Sequence, residues 1–233
     1  MFEIRTKPKI SIVIPSWFTK GQHGRHGENE VFEIAYKCLK RLVFDILDNK
    51  DQKESFELII INNGSDLQWE YTPKSDRDNL RERIGLYWSQ ADILIENEKN
   101  LGFSPAMNQG LNIARGKYII AMNNDIFCWP GFLEAMLRPF RQEEVDKHPE
   151  LSSPVGLVMP NVIKKEFQKD CLNEGGKLDM EKVFALKKEE IHLRNREIYE
   201  QRAEFGSCWC AKKELLDKCD LKKFEFDTRK YNK

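Results

Sequence analysis

The sequence predicts an α/β fold in which a mostly parallel central sheet is flanked by helices, with a smaller C-terminal portion. Short apolar segments rich in β-branched residues alternate with helical patterns over the first 140 residues, which is the element order of a parallel sheet. The apolar segments are continuous, as in strands buried on both faces. Several also stop abruptly at polar residues: YIIAM, for example, ends at Asn123-Asn124-Asp125, with no Gly or Pro to mark an ordinary turn.

The first strand, the first helix and the second strand come from residues 9–66. KISIVIPSW (9–17) is a short β-branched run ended by Pro15, which is typical of a buried strand. Residues 29–49 carry apolar side chains at three- and four-residue steps and predict an amphipathic helix. FELIIINNGSD (56–66) then repeats the pattern of a strand followed by a polar stop.

Two further strands and two helices are predicted up to the polar stop at Asn123. Residues 77–90 have a helical pattern, and DILIEN (92–97) predicts the third strand. SPAMNQGLNIARG (104–116) predicts a helix with Ser104 as its N-cap. KYIIAM (117–122) predicts the fourth strand.

The pattern weakens after residue 141. PGFLEAMLRPF predicts a helix that begins at Pro130, VGLVMPNVI (155–163) predicts a strand, and 178–202 is a highly charged helical stretch. FGSCWCAKKELLDKC (205–219) predicts a strand followed by a helix. We expect this smaller second half to pack on the first sheet.

Composition narrows the class of protein. Lysine plus arginine (38) equals aspartate plus glutamate (38), so the charge shows no footprint for nucleic-acid binding. No apolar run approaches the roughly 20 residues that cross a bilayer, and the N-terminus lacks a signal-peptide pattern. We therefore expect a cytoplasmic protein with no nucleic-acid partner and no transmembrane segment; peripheral association with the inner face of the membrane is compatible with this. The cysteines are expected to be buried free thiols, with a metal site from Cys208, Cys210 and Cys219 as the weaker alternative.

Three predicted strands end in polar residues that should meet in one crevice. In open parallel sheets, ligands bind beyond the carboxyl ends of the strands. The three polar ends are Pro15-Ser16-Trp17, the run from Asn62 to Asp66, and Asn123-Asn124-Asp125. Two of them have an ordinary alternative, because Asn-Gly is a common turn signal and Asn-Asn-Asp could cap a helix. A cap would not need the apolar Ile126-Phe127 that follows.

Four motifs together resemble the family 2 glycosyltransferases, which have the GT-A fold. ISIVIPSW, ELIIINNGSD, NLGFSPAMNQGLNIARGKYIIAMNNDIFCWPGFLEAM and GSCWCAKKELL stand in the order and spacing of that family. The resemblance covers residues 9–140 well and 150–227 loosely. It implies one GT-A-like domain over residues 1–233, with a nucleotide-sugar-binding half (9–140) and an acceptor-side half (141–233) that is incomplete.

The resemblance also implies a function and a set of site residues. It implies transfer of a sugar, with inversion, from a UDP, dTDP or GDP donor to a glycan or another hydroxyl acceptor, in polysaccharide biosynthesis. Asp125 would hold Mn²⁺ or Mg²⁺ on the diphosphate. The residues that would bind the donor are Pro15, Ser16, Trp17, Asn62, Asn63, Asp66, Asn100, Gly102, Asn108, Asn123 and Asn124.

The chemistry of Asp125 supports that role independently of the family. Mg²⁺ and Mn²⁺ take carboxylate, phosphate and water oxygens, often with one or two protein ligands. One carboxylate with two diphosphate oxygens and waters therefore makes a sufficient shell. Asn123 and Asn124 could hydrogen-bond sugar or ribose hydroxyls without adding charge.

The sequence departs from the family pattern at two places. Asn62 stands where many relatives carry Asp, which puts the base preference in doubt. The chain ends at Lys233, before the acidic pair that supplies the family's general base, so the catalytic residue stays unknown; Glu225 and Asp227 are weak candidates. The chain could thus be a truncated domain of a larger enzyme, use another means of acceptor activation, or be a non-catalytic nucleotide-sugar or glycan-binding module. A Rossmann dehydrogenase is disfavoured because no GxGxxG follows the first strand.

Overall fold

The described residues of the computed structural model form one sheet with helices on both faces. They are residues 8–18, 38–40, 42–43, 56–65, 85–126, 128, 131–146, 156–159 and 208–218. The strands are β1 (Ile10–Ser16), β2 (Phe56–Asn63), β3 (Ile93–Asn97), β4 (Tyr118–Met122), β5 (Leu157–Val158) and β6 (Cys208–Lys212). Their order in the sheet is β3-β2-β1-β4-β6-β5.

The predicted α/β class with a mostly parallel sheet is confirmed. β1 pairs in parallel with both β2 and β4, and β2 pairs in parallel with β3. β6 is antiparallel to its neighbours β4 and β5, so it is the one reversed strand of the sheet that the structure describes. β1 and β2 are almost wholly buried, which explains why their apolar runs are continuous.

Short helices connect and cover the strands. Their bounds are α1 (Phe103–Ile113), α2 (Phe132–Leu137), a 3-10 turn (Arg138–Phe140), α3 (Gln142–Val145) and α4 (Lys213–Lys218). Residues 38–40, 42–43 and 85–88 are also helical, inside the two helices predicted for those regions. The predicted helix over 178–202 lies outside the described residues.

The predicted N-cap of α1 was wrong by two residues. The helix begins at Phe103 with Gly102 as N-cap, and Ser104 lies within its first turn. Gly102 has a φ of +86°, a conformation that glycine adopts without steric cost. The chain can therefore turn into the helix at Gly102, before the Ser-Pro pair.

The core lies on both faces of the sheet. On one face, α1 packs over apolar side chains of β1, β2 and β4, among them Val13, Ile61 and Ala121. The opposite face packs against the helical residues 39 and 42–43, Tyr87 and the α2 region. Among the described residues, none of the helices has the length and hydrophobicity that a transmembrane span requires.

A polar cluster ties the C-terminal end of α1 to the amino-terminal edge of the sheet. Glu57 is 2% exposed; its carboxylate accepts hydrogen bonds from the Ser11 hydroxyl (2.6 Å), the Arg115 backbone N–H (2.7 Å) and the Arg115 guanidinium (2.6 and 2.9 Å). The Ser11 hydroxyl accepts a bond from Gly116 N–H at 2.7 Å. Burial alone would raise the pKa of Glu57, but these bonds and the charge of Arg115 outweigh it, so the pKa lies below its usual value.

Four cysteines among the described residues are buried free thiols: Cys38, Cys128, Cys208 and Cys210. Cys208 and Cys210 lie on the same face of β6, in the core cluster that contains Tyr87. Burial raises the pKa of each of these two thiols to about 12. The strand-then-helix prediction for 205–219 is confirmed over the described residues 208–218; Cys219 lies outside them.

Candidate functional site

The carboxyl ends of four parallel strands meet at one edge of the sheet. Ser16, the last residue of β1, pairs with Asn62 of β2, and Asn63 pairs with Asn97, the last residue of β3. β4 lies on the other side of β1 and ends at Met122, immediately before Asn123. The three predicted strand ends therefore lie side by side at one end of the sheet; that their polar residues share one crevice stays a prediction.

The polar residues at this edge divide between the two faces of the sheet. Side chains alternate along a strand, so neighbouring residues in β2 point to opposite faces. Asn63 hydrogen-bonds to Gly102, at the start of α1. Ser16, which pairs with Asn62, hydrogen-bonds through its hydroxyl to the Tyr87 hydroxyl on the opposite face, at 2.8 Å.

On the α1 face, Asn63 is the centre of a network of amides. Its Nδ2 donates to Asn100 Oδ1 at 2.9 Å and to the Gly102 carbonyl at 3.1 Å. Its Oδ1 accepts from Asn97 Nδ2 at 3.0 Å and from the Leu101 backbone N–H at 3.1 Å. An asparagine amide has two donor hydrogens and two acceptor lone pairs. All four are used within the protein.

The network continues into α1 and back through the loop of residues 98–102. Asn97 exchanges two hydrogen bonds with Gln109 of α1, both 2.8 Å long. Asn100 Oδ1 also accepts from the Gly102 N–H at 2.8 Å. β2, β3, the loop and α1 are thus held together by side-chain amides at the edge where the predicted site lies.

Gly64 brings the end of β2 against the same loop. Its φ is +69°, and a Cβ placed there would lie 2.1 Å from the backbone carbon of Lys99 and 2.5 Å from the Asn100 nitrogen. These are backbone atoms, which cannot rotate away. Only glycine fits between β2 and residues 98–102 without moving one of them.

On the opposite face, an aromatic cluster supports the ends of β1 and β2. Tyr87 is fully buried, and burial raises its pKa well above the usual range. It makes edge-to-face ring contacts with Phe18 and Trp88. Ser65 closes the turn: its N–H donates to Asn62 Oδ1 at 3.1 Å, and its hydroxyl accepts from Phe18 N–H at 3.0 Å.

The end of β4 presents the predicted metal ligand to solvent. Asp125 is exposed, and among the described residues its carboxylate has no hydrogen bond or ion pair. Asn123 and Asn124 lie with Cys38 and Tyr87 around a mostly apolar gap in the packing that is too small for a water molecule. The pKa of Cys38 is raised to about 12, first by burial and then by the negative charge of Asp125.

The oxygen atoms at this edge fit a hard cation that takes some of its ligands from the protein and others from a phosphate. A carboxylate oxygen and neighbouring amide oxygens are the ligand types that Mg²⁺ and Mn²⁺ accept. No group of three or more His, Cys, Asp or Glu side chains gathers in the part of the chain that the structure describes. The residues fit a cation with one protein carboxylate, completed by ligand oxygens and water.

The predicted donor-binding residues differ in how accessible they are. Trp17, Asn100 and Gly102 are exposed, as is the predicted metal ligand Asp125, and Asn108, Asn123 and Asn124 are half-buried. Pro15, Ser16, Asn62 and Asn63 are buried, and Asp66 lies outside the described residues.

Sequence reasoning did not include Tyr87, Asn97 or Gln109 in the site. Asn97 could have been found, because it ends the third predicted strand and so belongs to the same edge. Tyr87 and Gln109 lie in helical patterns, where nothing in the sequence shows which strand end they touch.

Solved glycosyltransferase structures resemble the chain at low sequence identity. The mannosyltransferase PcManGT from Pyrobaculum calidifontis, solved with GDP-Man and Mn²⁺, superposes with a TM-score of 0.46 and 13% identity, over 91% of this chain and 46% of that chain. S. aureus TarS 1-349 superposes with a TM-score of 0.45 and 14% identity, over 90% of this chain and 48% of that chain. The complex of TarS 1-349 with UDP-GlcNAc gives a TM-score of 0.40 and 14% identity, over 69% and 38%.

A curated relative is more similar in sequence. An uncharacterized glycosyltransferase from Methanocaldococcus jannaschii is 34% identical over 133 residues, which are 57% of this chain and 37% of that protein. The match thus spans little more than a third of this relative's length. The chain spans about half the length of PcManGT and of TarS 1-349.

The family match falls on the region that builds the site. The sequence model described as Glycosyl transferase family 2 matches residues 29–147, just over half of the chain. This range contains β2, β3, α1 and β4, and with them the amide network and Asp125. By this match the chain belongs to glycosyl transferase family 2.

Proposed function

We propose that this protein transfers a sugar from a nucleotide-diphosphate donor to a hydroxyl acceptor, with inversion at the anomeric carbon and with the help of a divalent cation. Asp125 carries the proposal. It is an exposed carboxylate, unpaired within the described residues, that follows β4 at the edge shared with the ends of β1 and β2. Membership of glycosyl transferase family 2 supports sugar transfer as the reaction at this edge of the sheet.

In the proposed site, the residues after β4 would bind the cation and the sugar or ribose hydroxyls, and Trp17 after β1 would contact the nucleoside. Asp125 would hold the cation, which when bound neutralises the diphosphate leaving group as its bond to the sugar breaks. Asn123 and Asn124 would donate to sugar or ribose hydroxyls. Trp17, 36% exposed beside the buried Ser16, offers an aromatic surface for the nucleoside.

The acceptor and setting are part of the same proposal. We propose a glycan or another hydroxyl acceptor in polysaccharide synthesis, met in the cytoplasm or at the inner membrane face. An acceptor hydroxyl that attacks opposite the diphosphate needs a base within hydrogen-bond reach. No residue is assigned to that role.

Asp125→Asn tests the cation site. In the presence of Mn²⁺, we expect the variant to bind UDP or GDP about tenfold more weakly than the wild type does. The amide keeps one oxygen but loses the charge that attracts the cation. Isothermal titration calorimetry with UDP, dTDP and GDP, each with and without Mn²⁺, measures the change.

The matched control for this substitution is Asp217→Asn. Asp217 is also an exposed carboxylate, in α4, and it pairs with Lys213. α4 begins at the opposite edge of the sheet, beside Lys117. Equal affinity in wild type, Asp217→Asn and Asp125→Asn would remove Asp125 from the site, and a wild type that binds no nucleotide would refute the proposal.

The stereochemistry of donor hydrolysis tests the reaction. Slow hydrolysis of UDP-GlcNAc or GDP-mannose by the chain should first release the sugar with the anomeric configuration opposite to that of the donor, because water replaces the acceptor in the same displacement. Proton NMR during the first turnovers distinguishes the anomers. First release of the retained anomer would contradict inversion, and binding without any turnover would favour a non-catalytic nucleotide-sugar-binding module.

A further inference from the structure

Asn63 is bound so completely within the protein that it cannot act as a simple ligand contact. It is 4% exposed, and its four hydrogen bonds use every donor and acceptor of the amide. We propose that Asn63 is a positioning residue. It fixes the loop of residues 98–102 and the start of α1 at the edge where the donor binds. This inference rests on the proposed function.

Backbone groups determine how the amides of Asn63 and Asn100 are oriented. The Leu101 N–H can only donate, so it must meet the oxygen of Asn63. The Gly102 carbonyl can only accept, so it must meet the nitrogen of Asn63. Gly102 N–H likewise requires the oxygen of Asn100. The orientations of Asn63 and Asn100 therefore follow from the chain itself, without any reference to hydrogen positions.

These orientations explain why position 63 needs an amide. An aspartate there would be isosteric but would place a carboxylate oxygen against two acceptors, Asn100 Oδ1 and the Gly102 carbonyl. Two donor bonds would be replaced by two repulsive contacts. The Asn97 and Leu101 bonds to the other oxygen would remain.

The fixed loop presents polar and apolar groups to the site. Asn100 is exposed, and both of its bonds within the network use Oδ1, which leaves Nδ2 available to a ligand. Leu101 is 38% exposed and Phe103 55% exposed. Asn63 is thus buried beneath the loop and does not itself face the ligand. It fixes the positions of the Asn100 amide nitrogen, a hydrogen-bond donor, and of the Leu101 and Phe103 side chains.

The far end of α1 makes this positioning stiff. Glu57, Ser11 and Arg115 hold the C-terminal end of the helix at the opposite edge. In the middle, Gly110 leaves so little room that an added Cβ would lie 2.3 Å from Val13 Cγ1. Because α1 is also held at Gly110 and at its C-terminal end, weakening the Asn63 hydrogen bonds should change the conformation of the loop of residues 98–102 more than the stability of the fold.

Asn63→Asp is the test, measured by UDP and GDP titration with Mn²⁺ at pH 8 and pH 5.5. We expect about tenfold weaker binding at pH 8. Partial recovery is expected at pH 5.5, because the acceptors around the new carboxyl favour its protonated form, which supplies one O–H donor. A loss of packing alone would show no such recovery. Hydrogen exchange at the Leu101 and Gly102 amides should speed up in parallel.

Asn112→Asp is the matched control, since Asn112 is exposed on α1 and undergoes the same chemical change. It should bind like wild type at both pH values. Nucleotide binding by wild type with unchanged binding by Asn63→Asp would overturn the inference and leave the proposed function intact. A wild type that binds no nucleotide refutes the proposed function, and the positioning role with it.

A second variant covers the case in which Asn63→Asp does not fold. Asn97→Ala removes one of the four bonds to Asn63 and leaves both of its donor bonds in place. We expect about threefold weaker nucleotide binding. Unchanged affinity in this variant, together with unchanged exchange at Leu101, would equally overturn the inference.

Discussion

Gly64→Ala is expected to lower the free energy of unfolding by about 2 to 5 kcal/mol, more than the same change at Gly131 or Gly85. Two costs add. A side chain at positive φ costs about 1 to 2 kcal/mol, and overpacking costs about 1 to 3 kcal/mol. The clash at Gly64 is with the backbone of Lys99 and Asn100, which cannot give way as a side chain does.

Two other glycines separate these costs. Gly131 has a φ of +82°, and no atom of the described residues lies within 4 Å of an added Cβ, so Gly131→Ala measures the backbone strain alone, about 1 to 2 kcal/mol. Gly85 does not have a positive φ, and in the part of the chain that the structure describes no atom lies within 4 Å of an added Cβ, so Gly85→Ala should be neutral or slightly stabilising. Urea denaturation of the three variants gives the comparison. Equal destabilisation by Gly64→Ala and Gly131→Ala would show that the loop of residues 98–102 is not packed against β2.

Glu57→Gln should lower the free energy of unfolding by about 2 to 4 kcal/mol. The amide keeps one acceptor oxygen, but its NH₂ group must face donors, because both carboxylate oxygens accept bonds from Ser11 or Arg115. Charge-assisted bonds contribute about 1.5 to 3 kcal/mol each when a buried partner is removed. The Arg115 side chain is 53% exposed, which keeps the value below that of a fully buried pair.

The same substitution should change how stability depends on pH. The folded-state pKa of Glu57 lies below its usual value of 4.5, so its contribution is complete above the unfolded pKa and is lost as pH falls through the folded pKa. Wild type should therefore lose stability in acid more steeply than Glu57→Gln. Denaturant midpoints measured between pH 7 and pH 3 test the difference, and parallel curves would contradict the lowered pKa.

Glu134→Gln is the control for Glu57→Gln. Glu134 also pairs with an arginine, Arg141 at 2.7 Å, but both side chains are about 40% exposed. Exposed ion pairs contribute about 0 to 1 kcal/mol. A loss in Glu134→Gln as large as that in Glu57→Gln would show that burial is not what gives the Glu57 pair its strength.

The sequence by itself predicted the parallel strands that the structure describes and the end of the sheet at which their polar residues lie. β1, β2 and β4 are continuous apolar runs because helices cover both of their faces, and this pattern is local to each strand. Polar residues directly after buried strands indicated the shared edge, and the parallel pairing of these strands confirmed it. Element boundaries were less accurate at α1, where the freedom of Gly102 outweighed the cap signal of Ser104.

Only the tertiary structure decided which partner each polar side chain has. Nothing local shows that Glu57 meets Arg115, 58 positions away, or that Ser16 meets Tyr87, 71 positions away. The alternation of β2 puts Asn62 and Asn63 on opposite faces, but which face α1 covers depends on the path of the chain between strands. For that reason two adjacent asparagines with the same chemistry have different roles: one lies on the face of Tyr87, and the other has its whole amide committed to the loop of residues 98–102.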